Sequence, residues 1–286
     1  MTTESLATYP GVQKVLEGSA AGKELLVIAG IHGNETCGIE AMQALLPTLS
    51  VSAGRVTFIH GNMQAIENNV RFVEQNLNRL FRPSSELSET QKSSYEYVRT
   101  QELMPLIEQS DAVLDIHSSA TIGSPPFVIC GRQNIDEAKR LPFPLISYGW
   151  DALEPGGTDD YALRKGVSGI TVECGFHKDP EAVVLAQEAI RAFLYLHGAI
   201  NSYVSNFTSA TPQEIEVISI HHTKSDFVPS RVFKDFEEVA KGDVMGTDGK
   251  DTIHVLEPGV VVFVRTRTSP KEEAFIFGKI VPPMSI

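Results

Sequence analysis

The 286-residue sequence has few cysteines and no long apolar segment. Its three cysteines, Cys37, Cys130 and Cys174, are odd in number and far apart. That pattern argues against a disulfide framework and for a reducing compartment. No run of about 18 apolar residues occurs, so no membrane helix is expected, and the first residues lack the segments of a signal peptide. These absences predict a cytoplasmic protein without a membrane partner.

The sequence also has no net positive charge and no phosphate-binding loop motif. The formal net charge is −12, which disfavours nucleic acid as a partner. Residues 71–82 nevertheless hold Arg71, Arg79 and Arg82 against one acid, Glu74. Because arginine binds carboxylates through two parallel hydrogen bonds, such a stretch suits a small dicarboxylate substrate. We assign functional roles to Arg71 and Arg79, and we interpret Arg82 as a solvated side chain.

Polar side chains follow three apolar runs, at the point where each predicted strand ends. The runs are residues 25–31, 111–116 and 169–172, and the residues after them are His32 and Glu35, His117, and Glu173. In open α/β sheets, ligands bind beyond the carboxyl ends of the strands. A hydrolytic zinc site needs three protein ligands and one open position. The pattern therefore predicts three ligands and a further carboxylate at one edge of a sheet.

Apolar strands alternate with helical patterns in the first two thirds of the chain. Strands are predicted near 24–29, 55–60, 111–116, 126–130 and 168–172, and helices over 35–49, 88–109 and 179–200. Alternation of this kind predicts an α/β fold with a largely parallel sheet between helices. Short alternating strands follow residue 205. We predict an α/β zinc hydrolase domain over residues 1–204 and a small β-rich domain over residues 205–286.

Several separate motifs occur in a fixed order along most of the chain. They are Gly30-Ile31-His32-Gly33-Asn34-Glu35, Arg71 with Asn78-Arg79, Asp115-Ile116-His117, Glu154-Pro155-Gly156-Gly157-Thr158, Arg164, and Thr171-Val172-Glu173-Cys174-Gly175. With these motifs the sequence resembles the succinylglutamate desuccinylase/aspartoacylase family, relatives of the zinc carboxypeptidases. The resemblance implies a zinc-carboxypeptidase-like fold, with a mostly parallel or mixed central sheet flanked by helices.

The resemblance also implies a site and a reaction. It implies one Zn²⁺ per chain bound by His32, Glu35 and His117, Glu173 as general base and acid, Arg71 as carbonyl polariser, and Asn78, Arg79 and Arg164 as contacts to substrate carboxylates. The expected reaction is hydrolytic removal of the acyl group from a small-molecule N-acyl acidic amino acid. N-succinylglutamate is the nearest expected substrate, because the Glu154–Thr158 segment looks desuccinylase-like.

Three departures from the family pattern affect the expected site. Asn76 stands where the family usually has an aspartate that hydrogen-bonds a ligand histidine, and an amide raises imidazole basicity less than a carboxylate does. The spacing from Arg164 to Glu173 is one residue shorter than the family pattern. Aspartoacylases use a tyrosine from the C-terminal domain, but no tyrosine follows Tyr203. That substrate contact is therefore missing or supplied by another group.

Two other functions stay open at this point. A zinc carboxypeptidase acting on a peptide or cell-wall fragment would share the zinc ligands and the base. A non-catalytic metal-binding regulatory protein could keep the fold, but metal binding alone does not need Glu173. The sequence also leaves open whether the chain forms a homo-oligomer.

Overall fold

The computed structural model describes residues 1–205 and 211–282. Within these ranges the strands are β1 (Val12–Glu17), β2 (Ala20–Ala29), β3 (Ala53–His60), β4 (Ala112–Ser119), β5 (Phe127–Cys130), β6 (Leu145–Tyr148), β7 (Ser168–Phe176), β8 (Gln213–His222), β9 (Phe227–Pro229), β10 (Glu237–Val239), β11 (Val244–Asp248), β12 (Asp251–His254), β13 (Gly259–Val262) and β14 (Glu273–Val281). The α-helices are α1 (Thr3–Ala7), α2 (Cys37–Leu45), α3 (Met63–Asn68), α4 (Glu89–Lys92), α5 (Tyr95–Glu108), α6 (Ile135–Ala138), α7 (Thr158–Arg164) and α8 (Pro180–Leu196).

One large mixed sheet organises the molecule. Its eleven strands follow the order β1-β3-β2-β4-β7-β5-β6-β8-β14-β13-β10, and a separate three-stranded antiparallel sheet has the order β12-β11-β9. The central strands β3, β2, β4 and β7 are all parallel to their neighbours in this row. Their carboxyl ends therefore meet at one edge of the sheet. The predicted α/β class, with a mixed sheet flanked by helices and a small β-rich part, is confirmed.

Alternation along the central strands creates two hydrophobic layers. In β2, Leu25, Val27 and Ala29 join the cluster that includes residues of α2 and α8. Leu26 and Ile28 point to the opposite face, in the cluster that includes residues of α5 and α7. Both faces are buried, so the strand is an almost continuous apolar run, as is typical of parallel sheets between helices.

Capping residues determine where the long helices begin. Asp179 caps α8, whose first residue is Pro180, a residue suited to the first turn of a helix. Residues 88–109 were expected to form one helix, but they form two. Ser88 caps α4 in a reciprocal arrangement with Gln91, and the Ser94 hydroxyl then accepts a hydrogen bond from the backbone N–H of Tyr97. Ser94 therefore starts a new helix, α5.

The C-terminal segment continues the large sheet. Strand β8 pairs in parallel with β6, and β14, β13 and β10 follow in antiparallel order. One hydrophobic cluster combines Phe127 and Trp150 with Val217, Val262 and Ile276. The division at residues 204 and 205 stays a prediction. In the part of the chain that the structure describes, no helix is long and apolar enough to cross a membrane.

Candidate active site

Three predicted metal ligands converge at the carboxyl ends of β2 and β4. The Nδ1 atom of His32 lies 2.9 Å from Glu35 Oε1, and the Nδ1 atom of His117 lies 2.8 Å from Glu35 Oε2. The two Nδ1 atoms are 3.2 Å apart. All three side chains are buried, with Glu35 only 2% exposed. Across residues 1–205 and 211–282, no other group of at least three His, Cys, Asp or Glu residues meets the spacing expected of metal ligands.

Two glycines shape the turn that carries His32 and Glu35. Gly30 has a φ of +73°, in the region that favours glycine, and it redirects the chain as it leaves β2. Gly33 lies against the backbone of α3, where an added Cβ would meet the Ala65 carbonyl carbon at 2.0 Å. A side chain at position 33 would therefore push the turn away from α3 and displace both ligands.

Hydrogen bonds on the far side of each imidazole orient the ligands. His32 Nε2 lies 3.0 Å from Asn76 Oδ1, an oxygen that also accepts the backbone N–H of Asn78. His117 Nε2 lies 2.9 Å from Asp115 Oδ2. Because both partners are acceptors, each Nε2 donates its proton outward, and each Nδ1 faces Glu35, where it could offer a lone pair to a metal ion. Asn76 therefore occupies the orienting position that the family usually gives to an aspartate.

This donor set suits a metal cation. Two imidazole Nδ1 atoms and a carboxylate face one point, an arrangement that needs positive charge between them, from a proton or from a metal ion. Burial lowers the pKa of His32 to about 4, which keeps this imidazole neutral. Burial acts in the same direction on His117, but Asp115 and Glu35 together hold the pKa of His117 well above its usual value. Two nitrogens and one carboxylate oxygen are common ligands of catalytic zinc.

Glu173 lies beside this cluster on the neighbouring strand. It is the register partner of His117 across the parallel β4–β7 pair, so the two side chains project from the same face. Glu173 is buried, and its Oε2 atom has no hydrogen-bond partner among the described residues. Burial, followed by repulsion from Glu35, raises the pKa of Glu173 to about 8. A carboxyl group with such a pKa can both accept and release a proton near neutral pH.

Two adjoining cavities surround the cluster, and both are lined by Arg71, Arg79, Glu154, Glu173 and Phe263. The inner cavity, of about 80 Å³, also contacts His32, Asn78, His117, Trp150 and Asp159. The outer cavity, of about 370 Å³, also contacts Glu35, Arg265, Arg267, Lys271 and Glu273. The cluster of predicted metal ligands therefore lies where a small cavity meets a larger one.

The predicted arginines occupy different surroundings. Arg71 Nη1 lies 2.9 Å from Glu35 Oε1, and 43% of the Arg71 side chain is exposed. Arg79 forms an ion pair with Glu154, and its Nη2 atom lies 3.7 Å from Glu273 Oε1. Both guanidiniums reach the cavities, but each already faces a carboxylate.

Of the other two predicted substrate contacts, Asn78 lines a cavity and Arg164 does not. Asn78 lines the inner cavity, and its Oδ1 accepts the backbone N–H of Thr158 at 3.1 Å. Arg164 lies elsewhere: its guanidinium donates to the backbone oxygen of Phe81 and pairs with Asp160 at 3.0 Å. Arg164 is absent from the described lining of both cavities.

Sequence reasoning gave no role to three residues of the site. Asp115 precedes His117 by two positions in the same strand, so alternation alone would have placed both side chains on one face. Asp159 lines the inner cavity, and Arg265 lines the outer one. Neither of these carries a local signal. The missing C-terminal tyrosine was the one indication that the later segment supplies a different group.

Comparisons with known proteins show the family to which the chain belongs. The family described as "Succinylglutamate desuccinylase/Aspartoacylase catalytic domain" matches residues 21–200. The chain belongs to this family. A succinylglutamate desuccinylase of Pseudoalteromonas atlantica is 36% identical over 303 residues, which cover 93% of this chain and 84% of that protein. The alignment with the Pseudomonas putida succinylglutamate desuccinylase, 43% identical, covers 30% of this chain and spans only 26% of that relative.

Solved structures of family members share the fold. Succinylglutamate desuccinylase from Vibrio parahaemolyticus superimposes with a TM-score of 0.73 at 17% identity, covering 98% of this chain and 95% of that one. The product-bound ectoine utilization protein EutE from Ruegeria pomeroyi gives a TM-score of 0.71 at 20% identity, covering 93% and 87% of the two chains. At these identities the similarity shows the fold alone.

Proposed function

We propose that this protein is a zinc-dependent deacylase that hydrolyses the amide bond of an N-acyl acidic amino acid. The convergence of His32, Glu35 and His117 beside the buried Glu173 carries the proposal. Family membership supports hydrolysis of an amide bond and a small acyl-amino-acid substrate. A zinc ion held by the three ligands supplies an activated water and a Lewis acid for the scissile carbonyl.

Glu173 moves the proton in the proposed reaction. Its carboxylate accepts a proton from the water that attacks the amide carbon, and the resulting carboxylic acid then donates that proton to the leaving nitrogen. Burial and repulsion from Glu35 raise the pKa of Glu173, which makes its carboxylate a better proton acceptor than an exposed glutamate. The products are a carboxylic acid and a free amino acid.

Arg71 stabilises the charge that develops on the carbonyl oxygen. Its guanidinium reaches the junction of the two cavities and lies beside Glu35. A donor that strengthens its hydrogen bond as the oxygen becomes negative lowers the barrier, typically by about 3 kcal/mol. Asn78 lines the inner cavity, Arg79 lines both cavities, and both bind the substrate.

N-succinylglutamate, the N-succinyl derivative of an acidic amino acid, is the proposed substrate within this class. The similarity to succinylglutamate desuccinylases and the Glu154–Thr158 segment support it. The protein should be purified, its metal content measured, and its activity compared on N-succinylglutamate, N-acetylaspartate and C-terminally free dipeptides. We expect about one zinc per chain and preferential hydrolysis of an N-acyl acidic amino acid. Faster hydrolysis of the dipeptides would contradict the proposal and favour a carboxypeptidase.

A further inference from the structure

The loop between β13 and β14 brings positive charge to the outer cavity. Arg265, Arg267 and Lys271 all line it. Arg267 is partly engaged, because its Nε donates to the backbone oxygen of Glu273 at 2.6 Å. The half-buried Arg265 guanidinium lies 5.3 Å from the centre of the Phe263 ring. Within residues 1–205 and 211–282 it forms no hydrogen bond and no ion pair.

This lack of a partner distinguishes Arg265 from the other arginines that line the cavities in the described chain. Arg71 pairs with Glu35, and Arg79 pairs with Glu154. The donors of Arg71 and Arg79 are therefore already directed at protein carboxylates. Arg265 keeps the whole planar set of N–H donors, which matches the two oxygens of a carboxylate.

Both cations and acids act on the charge of Arg265. Burial, followed by the positive charges of Arg71 and Arg267, lowers the pKa of Arg265. Asp235 and Glu173 oppose this effect; the Oδ1 atom of Asp235 accepts the Phe263 backbone N–H at 2.7 Å, and its Oδ2 atom accepts the Ser119 hydroxyl. Five glutamates also line the outer cavity, but none of them pairs with Arg265 in the described chain, so an added carboxylate would find its free donors at this guanidinium.

We propose that Arg265 binds a carboxylate of the substrate in the outer cavity and thereby selects substrates that are anionic at that end. The inference rests on the proposed function. Glu173 and Arg71 line both cavities, so the scissile amide lies at their junction, with one arm of the substrate in each. Arg265 supplies, from the C-terminal segment, a contact for the arm in the larger cavity. It determines specificity and takes no part in proton transfer.

The test pairs a side-chain deletion with deletion of single carboxylates from the substrate. Arg265→Ala and Arg265→Lys are compared with wild type and with Arg231→Ala. Arg231 is a matched control: its guanidinium stacks on Phe233, 4.0 Å from the ring centre, and it pairs with Glu237 outside both cavities. The substrates are N-succinylglutamate and three analogues that each lack one carboxylate: N-butyrylglutamate, N-succinylnorvaline and N-succinylisoglutamine.

We expect Arg265→Ala to reduce kcat/KM for N-succinylglutamate by about 10- to 150-fold, mainly through KM. For the one analogue that lacks the carboxylate contacted by Arg265, the same substitution should reduce kcat/KM by less than about threefold. Arg265→Lys should lie between wild type and Arg265→Ala, because an ammonium keeps the charge but not the two parallel hydrogen bonds. Arg231→Ala should match wild type. Equal losses on all four substrates, or no loss, would overturn the proposal.

Product binding gives a second readout that does not depend on turnover. Calorimetry measures the affinity of the zinc-loaded wild type and the Arg265→Lys and Arg265→Ala proteins for succinate and for glutamate. Arg265→Ala should weaken the affinity for one of these two products by at least about tenfold. Unchanged affinities, or no binding of either product by wild type, would contradict the role of Arg265. If wild type hydrolyses no N-acyl amino acid, the proposed function fails, and the binding data still decide the role of Arg265.

Discussion

Replacing Glu173 with glutamine tests the proton-transfer step most directly. Glutamine has nearly the same shape, but its amide cannot accept a proton from water. Glu173 lies in register with His117 and is buried. General acid–base catalysis contributes typically about 10²- to 10⁴-fold, which corresponds to about 2.7–5.4 kcal/mol of transition-state stabilisation. We expect kcat to fall by that factor.

The same substitution should leave the metal ligands in place. One carboxylate oxygen of Glu173 has no partner among the described residues, so a glutamine amide at that position would cost at most about 1–3 kcal/mol of folding stability. The variant should therefore fold and retain its zinc. Metal content is measured by atomic emission, stability by thermal unfolding, and kcat by release of the free amino acid. Glu238→Gln, an exposed glutamate, is the matched control.

Two results would refute the reasoning about Glu173. Turnover at the wild-type rate with full zinc content would show that another group moves the proton. Loss of zinc together with activity would show that Glu173 is itself a ligand. The expected combination, full metal and little turnover, separates the base from the ligands.

Three further predictions concern the ligands, the inner cavity and pH. His117→Ala and Glu35→Gln should lose zinc, as measured in purified protein, because each removes one of three ligand side chains; full metal content would contradict the assignment. Arg79→Ala should lower kcat/KM by about 10- to 150-fold while Arg82→Ala changes it little; equal losses for a carboxylate substrate and its amide analogue would mean that Arg79 serves the fold. Burial raises the pKa of Asp159 from 3.8 to about 7. An acid with a raised folded-state pKa contributes stability that is fully present at low pH and lost as pH rises to about 7. Asp159→Asn should therefore flatten the fall in urea midpoint between pH 4 and 7, and an unchanged slope would contradict this.

The fold class and the ligand cluster could be predicted because both follow from local patterns. Apolar runs that end in His or Glu predict strands with polar residues at one edge of a sheet. Strands β2, β4 and β7 are adjacent and parallel, so His32, His117 and Glu173 lie together. The caps of α8 and α4 also follow from local side-chain chemistry.

The elements that the sequence did not predict are short or only partly buried. Strand β1 is an edge strand in which no residue is fully buried, and its sequence lacks an apolar run. Helix α7 has only seven residues and carries two acids in its first turn. The break between α4 and α5 depends on which of two nearby serines caps a helix. Hydrophobic periodicity alone does not decide such a choice.

The charge of the substrate site depends on ion pairs between residues that lie far apart in the sequence. Counting the charged residues within one stretch does not reveal these pairs. The stretch from Arg71 to Arg82 is rich in arginine, and this favoured a cationic site. Arg79, however, pairs with Glu154, which lies 75 positions away, and Arg71 pairs with Glu35, 36 positions away. Among the arginines that line the two cavities in the described chain, Arg265 is the one whose guanidinium has neither a hydrogen bond nor an ion pair, and it follows a strand of the C-terminal segment. Specificity therefore depends on which arginines the fold leaves without a carboxylate, and the pairing of β13 with β14 helps to bring that arginine to the catalytic edge.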